Sequence, residues 1–133
     1  MKSVNIFLFV SLLFIFMMGC SSNSPESVAK NFTQAIYDGN FEEAKEYCTP
    51  ETREKIGMIE QMCEGKTDEM KAAKTKVEVA SSKIEESGDK AKVILNVKNR
   101  LNLMTGTIEE NTKQETVNLI KDEDKWRVIV KIK

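Results

Sequence analysis

The sequence of 133 residues contains no histidine. Histidine is the side chain that titrates nearest to neutral pH and the commonest metal ligand. Its absence excludes nucleophile–histidine catalysis, histidine-containing zinc sites and zincin motifs. The sequence also lacks internal repeats, a glycine-rich phosphate loop and a calcium-type carboxylate cluster. We therefore expect neither a metal nor a cofactor.

An excess of charge of either sign is also missing. Lys and Arg total 20 and Asp and Glu total 21, which gives a formal net charge of −1. Because phosphate binding needs a clustered basic surface, we expect no nucleic-acid partner. Hydrophobic residues make up 41% and charged residues 31% of the chain, a balance typical of a folded domain. The length allows one domain and a short targeting segment.

The longest apolar run, Ile6–Met18, follows Lys2 near the amino terminus and is interrupted only by Ser11. As a helix it would reach roughly 20 Å, less than the ~30 Å hydrocarbon core of a bilayer. The run therefore predicts an export signal rather than a permanent span. The residues that follow, Met17-Met18-Gly19-Cys20, resemble a bacterial lipobox, in which Met18 is bulkier than the usual small residue.

This resemblance implies cleavage after Gly19 and transfer of diacylglycerol to the Cys20 thiol, often with acylation (palmitate-like) of the new amino terminus. We expect residues 1–19 to be a lipoprotein signal peptide, 20–24 the lipidated cysteine with a tether, and 25–133 the exported domain. The domain would lie outside the cytoplasm, lipid-anchored to a membrane of the bacterial cell envelope. The alternatives are an ordinary secretory signal and an uncleaved anchor with an incidental cysteine.

The first part of the domain predicts three amphipathic helices. Ser24-Pro25-Glu26 and Thr49-Pro50-Glu51 are typical helix starts. Gly39 ends the first helix, Asn40 can cap the short second one, and Gly65 ends the third. The segment 67–74 is either another helical turn or a loop. Helical spacing assigns an inward position to Val28, Ala29, Phe32, Ala35, Ile36, Phe41, Ala44, Cys48, Ile56, Ile59, Met62 and Cys63.

After Thr75 the apolar period changes to two, which predicts strands. A bulge near Ala80–Ser82 would reconcile the opposite phases of Val79 and Ile84. Residues 101–111 are either a strand extension or a long hairpin end. Because the apolar face of an antiparallel sheet must be covered, we expect an α+β domain in which a curved four-stranded meander wraps three helices.

The order of these features resembles the lipoproteins grouped as domain of unknown function 4878. The resemblance rests on a Pro-Glu helix start, an acid-Gly-Asn break with flanking aromatics, and the closing hairpin around Lys125-Trp126-Arg127-Val128. One departure is Asp124, which stands where glycine is frequent. The resemblance implies a cystatin-like cone of the nuclear-transport-factor-like superfamily. The family has no assigned activity, so no catalytic residue is carried over. The matching residues are Pro25, Glu26, Phe32, Asp38, Gly39, Asn40, Phe41, Ala44 and Lys45.

Two cysteines, Cys48 and Cys63, remain once Cys20 is used for the lipid. The envelope allows a disulfide between them, which would contribute roughly 3 kcal/mol in the chain-entropy model. The alternative is two separate buried thiols that behave as small apolar side chains.

A cone of this kind commonly encloses a pocket. The residues that could line it, with plain core packing as the alternative, are Tyr37, Phe41, Tyr47, Met58, Met62, Met104 and Trp126. The acids alternate with lysines, and none stands isolated among apolar residues, so we identify no catalytic residue.

The first hypothesis is a non-catalytic envelope lipoprotein that binds a protein partner or small apolar ligand. The others are a pocketed enzyme using a carboxylate or tyrosine and a purely structural envelope protein.

Overall fold

Helices occupy the first half of the described chain, residues 23–130 of a computed structural model, and strands occupy the second half. The helix predicted as an alternative for 67–74 is present, so the described part has four helices rather than three. They are α1 (Pro25–Tyr37), α2 (Phe41–Glu46), α3 (Pro50–Met62) and α4 (Thr67–Ala72).

Capping residues fix the starts of the two long helices where the sequence predicts them. The Ser24 hydroxyl accepts from the Ser27 amide at 3.1 Å, and the Thr49 hydroxyl accepts from the Thr52 amide at 3.4 Å. These bonds satisfy amides that have no partner within the helix.

Helix α3 buries fewer side chains than the spacing of its apolar residues predicts. Ile56 and Cys63 are buried, but Met62 is 80% exposed, so its predicted inward position is wrong. The buried positions within α3 itself, Thr52 and Ile56, lie in its first half. Met62 in its last turn therefore projects into solvent, whereas Ile59 in the same turn packs against the core.

Six strands follow the helices. They are β1 (Lys76–Ile84), β2 (Lys90–Lys98), β3 (Arg100–Leu101), β4 (Ile108–Glu109), β5 (Lys113–Asp122) and β6 (Lys125–Ile129). The main antiparallel sheet has the order β1-β2-β5-β6, and β3 pairs with β4 in a small separate hairpin. This confirms the four-stranded meander and shows that residues 101–111 are a hairpin end.

The register of the sheet puts alternate side chains on the helix-covered face. Ala91, Val93, Leu95 and Val97 of β2 are all buried, as period-two packing requires. The register between β1 and β2 shifts between Val79 and Ser81, which confirms the predicted bulge.

The edge strand β6 is attached to the helical layer. The Val128 amide donates to the Tyr47 carbonyl at 2.8 Å, and the Thr49 amide donates to the Val128 carbonyl at 3.2 Å. These bonds hold the α2–α3 connection against β6. The helices therefore cover the apolar face of the sheet, which confirms the α+β class.

No helix among residues 23–130 is long and apolar enough to cross a membrane. The predicted signal peptide, the Gly19–Cys20 cleavage site and the lipidated Cys20 lie outside the described residues.

Candidate ligand-binding groove

A groove of about 490 Å³ opens between helices α1 and α3 and strands β5 and β6. Its volume lies within the range of roughly 300–1,000 Å³ that is typical of small-molecule sites. The lining is mainly apolar and consists of Phe32, Thr33, Ile36, Tyr37, Ile56, Ile59, Glu115, Thr116, Val117, Asn118, Val128, Ile129 and Val130.

Thr33 places a hydroxyl in the wall of this groove. It follows Phe32 on α1, and only 5% of the residue is exposed. Its Oγ1 atom has no hydrogen-bond partner among the described residues. An unpaired buried hydroxyl costs free energy, and such groups are uncommon in folded proteins. Thr33 is therefore an unpaired, buried polar group in the wall of the groove.

Tyr37 and Glu115 form a polar pair in the same groove. The Tyr37 hydroxyl donates to Glu115 Oε1 at 2.6 Å. Burial, followed by the hydrogen bond to Glu115 and the charge of Glu115, raises the pKa of Tyr37 well above its usual value, and the charge of Arg100 opposes these effects. The phenol therefore remains protonated near neutral pH. It can donate a hydrogen bond, but it is a poor base.

Arg100 lies near this end of the groove and is held by the hairpin. Its Nη1 atom is 3.2 Å from Glu109 Oε2, and its Nη2 donates to Asn111 Oδ1 at 3.1 Å. The side chain is only 12% exposed. The ion pair with Glu109 and the bond to Asn111 hold the guanidinium against the hairpin, and its buried Nε has no hydrogen-bond partner among the described residues.

The structure brings few of the predicted pocket residues to this groove. Tyr37 lines it. Phe41 and Trp126 are buried in the core, where Lys121 Nζ lies 5.8 Å from the Trp126 ring centroid. Core packing is therefore the better interpretation of these two aromatics. Tyr47 packs against the core from the helix α2 end, half-buried.

The three predicted methionines do not line the groove. Met58 is 61%, Met62 80% and Met104 96% exposed. The first two project from the outer side of α3, and Met104 lies in the β3–β4 connection. Helical spacing and residue type do not specify which side of a partly covered helix meets the sheet.

A second surface cleft of about 760 Å³ includes Phe41 and Met58. Its lining includes the charged side chains of Lys45, Glu54, Glu60 and Glu64, and Glu60 is paired with Lys45 at 2.8 Å. This arrangement is typical of a solvated surface, so the groove beside α1 is the better candidate site.

Cys48 and Cys63 are both buried free thiols in the structure, which corresponds to the second of the two alternatives that the sequence leaves open. Cys48 donates to the Ala44 carbonyl at 3.2 Å, one turn back along the chain. Burial raises the pKa of Cys48 to about 12 and also raises the pKa of Cys63. Neither thiol lines the groove. The described residues contain no cluster of metal-ligating side chains.

The sequence analysis did not identify Thr33 and Glu115 as groove residues, nor that Arg100 lies near Tyr37. For Thr33 and Glu115 the sequence pattern contains an indication of this position. Thr33 interrupts the apolar surface between Phe32 and Ile36, and Glu115 has the same strand phase as the buried Val117. The expectation that no acid stands among apolar residues was therefore wrong, because it considered the helical acids and not the strand phase.

A curved antiparallel sheet that wraps helices and leaves a groove beside the first helix defines a cone-shaped α+β fold. A family model described as "Domain of unknown function (DUF4878)" matches residues 18–129. The match covers most of the chain, and this protein therefore belongs to that family. The resemblance to this family, noted from the sequence, is confirmed.

A solved structure supports the same fold. The crystal structure of a Campylobacter jejuni protein described as a "Putative NTF2-like transpeptidase" is similar, with a TM-score of 0.55 and 25% sequence identity. The similarity covers 81% of this chain and 99% of that chain. It confirms the cone fold. No curated protein matches this chain significantly.

Proposed function

We propose that this protein is a non-catalytic lipoprotein of the bacterial cell envelope whose groove binds a small, largely apolar ligand. The observation that carries the proposal is the largely apolar groove of about 490 Å³ beside α1. A filled cone would not offer this volume. The lipid on Cys20 would hold the domain at the membrane.

Catalysis is the weaker alternative, although Tyr37 and Glu115 form the kind of polar pair that a pocketed enzyme would use. Tyr37 holds its proton because of burial and the Glu115 hydrogen bond, so it does not supply a base near neutral pH. The similar protein from Campylobacter jejuni is described as a transpeptidase. Acyl transfer of that type needs an activated nucleophile. The described thiols lie in the core with raised pKa values, and the sequence has no histidine to activate a hydroxyl.

Ligand binding can be tested by methyl NMR on the mature lipidated protein in detergent micelles, with hexanol as the probe. We expect saturable shifts of the Ile36 and Ile59 methyl groups, which line the groove. Ile84 and Ile108 are 51% and 48% exposed elsewhere and report non-specific effects.

The Ile59→Trp variant fills the groove and should abolish the saturable shifts. Ile84→Trp adds the same side chain at an exposed position and should preserve them. Equal, non-saturating shifts of all isoleucines would show that the groove is not a binding site.

A further inference from the structure

Glu115 is a carboxylate placed inside an apolar groove. In the sheet register it lies opposite Leu95 of β2, and Val93 lies opposite Val117. Directly opposed residues of antiparallel strands point to the same face. Leu95, Val93 and Val117 are all buried, so Glu115 faces the helices together with them.

Most of the hydrogen-bonding capacity of this carboxylate is unused. Its Oε1 atom accepts from the Tyr37 hydroxyl at 2.6 Å. An ionised carboxylate offers about four acceptor sites. None of the ion pairs formed within residues 23–130 includes Glu115. The pair therefore presents a carboxylate with open acceptor sites beside apolar side chains.

The positive charges near Glu115 do not neutralise it. Arg100 is paired with Glu109 and bonded to Asn111. Lys113 precedes Glu115 by two residues on the same face of β5, but it is exposed, and water screens its charge. Arg100, Glu109 and Glu115 together carry one excess negative charge.

We infer that the groove binds a small aliphatic primary amine, with its carbon chain between Ile36, Ile59 and Val130 and its ammonium group on Glu115. An ammonium offers three donors and no acceptor, which complements a carboxylate. A charge-assisted bond of this kind is strengthened in apolar surroundings. The inference rests on the proposed function and names its ligand class.

The test compares hexylamine, hexanol and hexanoate, which share one carbon chain and differ in charge. Each is titrated into the mature lipidated protein and followed at the Ile36 and Ile59 methyl groups. We expect hexylamine to bind about tenfold more tightly than hexanol, because a hydrogen bond to a charged group adds to the apolar contact. Hexanoate should bind most weakly.

Glu115→Gln should remove the preference for the amine and leave hexanol binding unchanged. The amide keeps the shape of Glu115 and an oxygen that can accept from Tyr37. Glu110→Gln is the matched control, because it removes one negative charge at an exposed position near the same end of the sheet. It should preserve the preference.

The outcomes separate the two proposals. Equal binding of all three probes, or tightest binding of hexanoate, would overturn the amine inference and leave the groove as an apolar site. A preference for the amine that survives Glu115→Gln would also overturn it. If no probe shifts the groove isoleucines saturably, the proposed binding function fails as well.

Discussion

Two buried threonines show how differently one residue type behaves in this core. Thr33 Oγ1 has no described partner, whereas Thr52 Oγ1 accepts from the Val130 amide at 3.2 Å and from the Thr49 hydroxyl at 2.9 Å. Both residues are at most 5% exposed. The difference lies in the hydrogen bonds and not in burial, so their substitution should have opposite effects.

We expect Thr33→Val to stabilise the protein by about 1 kcal/mol, because it removes an unpaired buried hydroxyl and keeps the shape of the side chain. Thr52→Val should destabilise it by about 1–3 kcal/mol, since the Val130 amide then loses its acceptor. Urea unfolding of both variants measures the two free energies. A destabilised Thr33→Val would mean that this hydroxyl is already satisfied in the native protein.

The two core thiols should be free in the protein isolated without reductant. Mass spectrometry after alkylation in denaturant should find both Cys48 and Cys63 modified, with no mass change on prior reduction. A disulfide between them would contradict the structure. In the native state both thiols should react slowly, because they are buried and burial raises their pKa values.

Cys48 also gives stability a dependence on alkaline pH. Its pKa rises from 9.0 to about 12 on folding, so the folded state holds its proton over a range in which the unfolded chain has lost it. Stability from this group is therefore complete below pH 9 and is lost as the pH rises towards 12. Cys48→Ala should reduce this slope in urea unfolding, whatever its effect at neutral pH. An unchanged slope would contradict the assignment.

At the scale of the elements, the breaks between helices use backbone conformations that few residues other than glycine adopt. Gly39 joins α1 to α2 with φ of +76°, and Gly65 joins α3 to α4 with φ of +82°. Side chains disfavour both conformations. Only at Gly39 would an added Cβ meet a neighbour, Thr67, at 3.2 Å.

We expect Gly39→Ala to be more destabilising than Gly65→Ala. Both variants incur the cost of a left-handed backbone, about 1 kcal/mol, and Gly39→Ala adds the contact with Thr67. Thermal unfolding of the two proteins isolates the steric part as a difference. Equal losses would show that α4 moves away from Gly39 without cost.

Two irregular features of the sheet, the bulge in β1 and the β5–β6 turn, have causes in the local sequence. The bulge near Ser81 was predictable, because the side-chain phase of β1 reverses within a few residues of sequence. The β5–β6 turn uses positive φ at Glu123 and Asp124, 48° and 67°, where glycine is more usual. Asp tolerates this conformation better than most residues. The departure from the family pattern at Asp124 therefore leaves the hairpin intact.

At the scale of the whole molecule, the start of the domain lies at one end of the sheet. Asn23 Nδ2 donates to the Asp124 carbonyl at 2.8 Å, in the β5–β6 turn. Asn23 is three positions after Cys20, a reach of about 10 Å. A lipid on Cys20 would hold this turn near the bilayer. Glu115 lies seven residues before Asp122, the last residue of β5, which is roughly 23 Å along the strand.

Membrane attachment of the whole protein should depend on Cys20. Cys20→Ala should abolish both membrane association in cell fractionation and the lipid mass of the mature protein. Cys63→Ala, which removes a different cysteine, should preserve both. Membrane association of Cys20→Ala without the lipid mass would instead indicate an uncleaved anchor.

The sequence by itself determined the features whose causes lie within a few residues. Ser24 and Thr49 specify helix starts, Gly39 specifies a break, and the change of period after Thr75 specifies the strands. The α+β class follows, because one apolar sheet face needs a cover. The lipobox prediction is equally local, and it stays a prediction because Cys20 lies outside the described residues.

The groove was decided only by the tertiary structure. Tyr37 and Glu115 are 78 residues apart and meet because α1 crosses β5. The exposure of Met62 depends on how far α3 is covered, and Met104 lies in the exposed β3–β4 connection. Residue type and spacing indicate which side chains can be buried. The packing of elements distant in sequence decides which side chains contact each other and which polar groups remain unpaired.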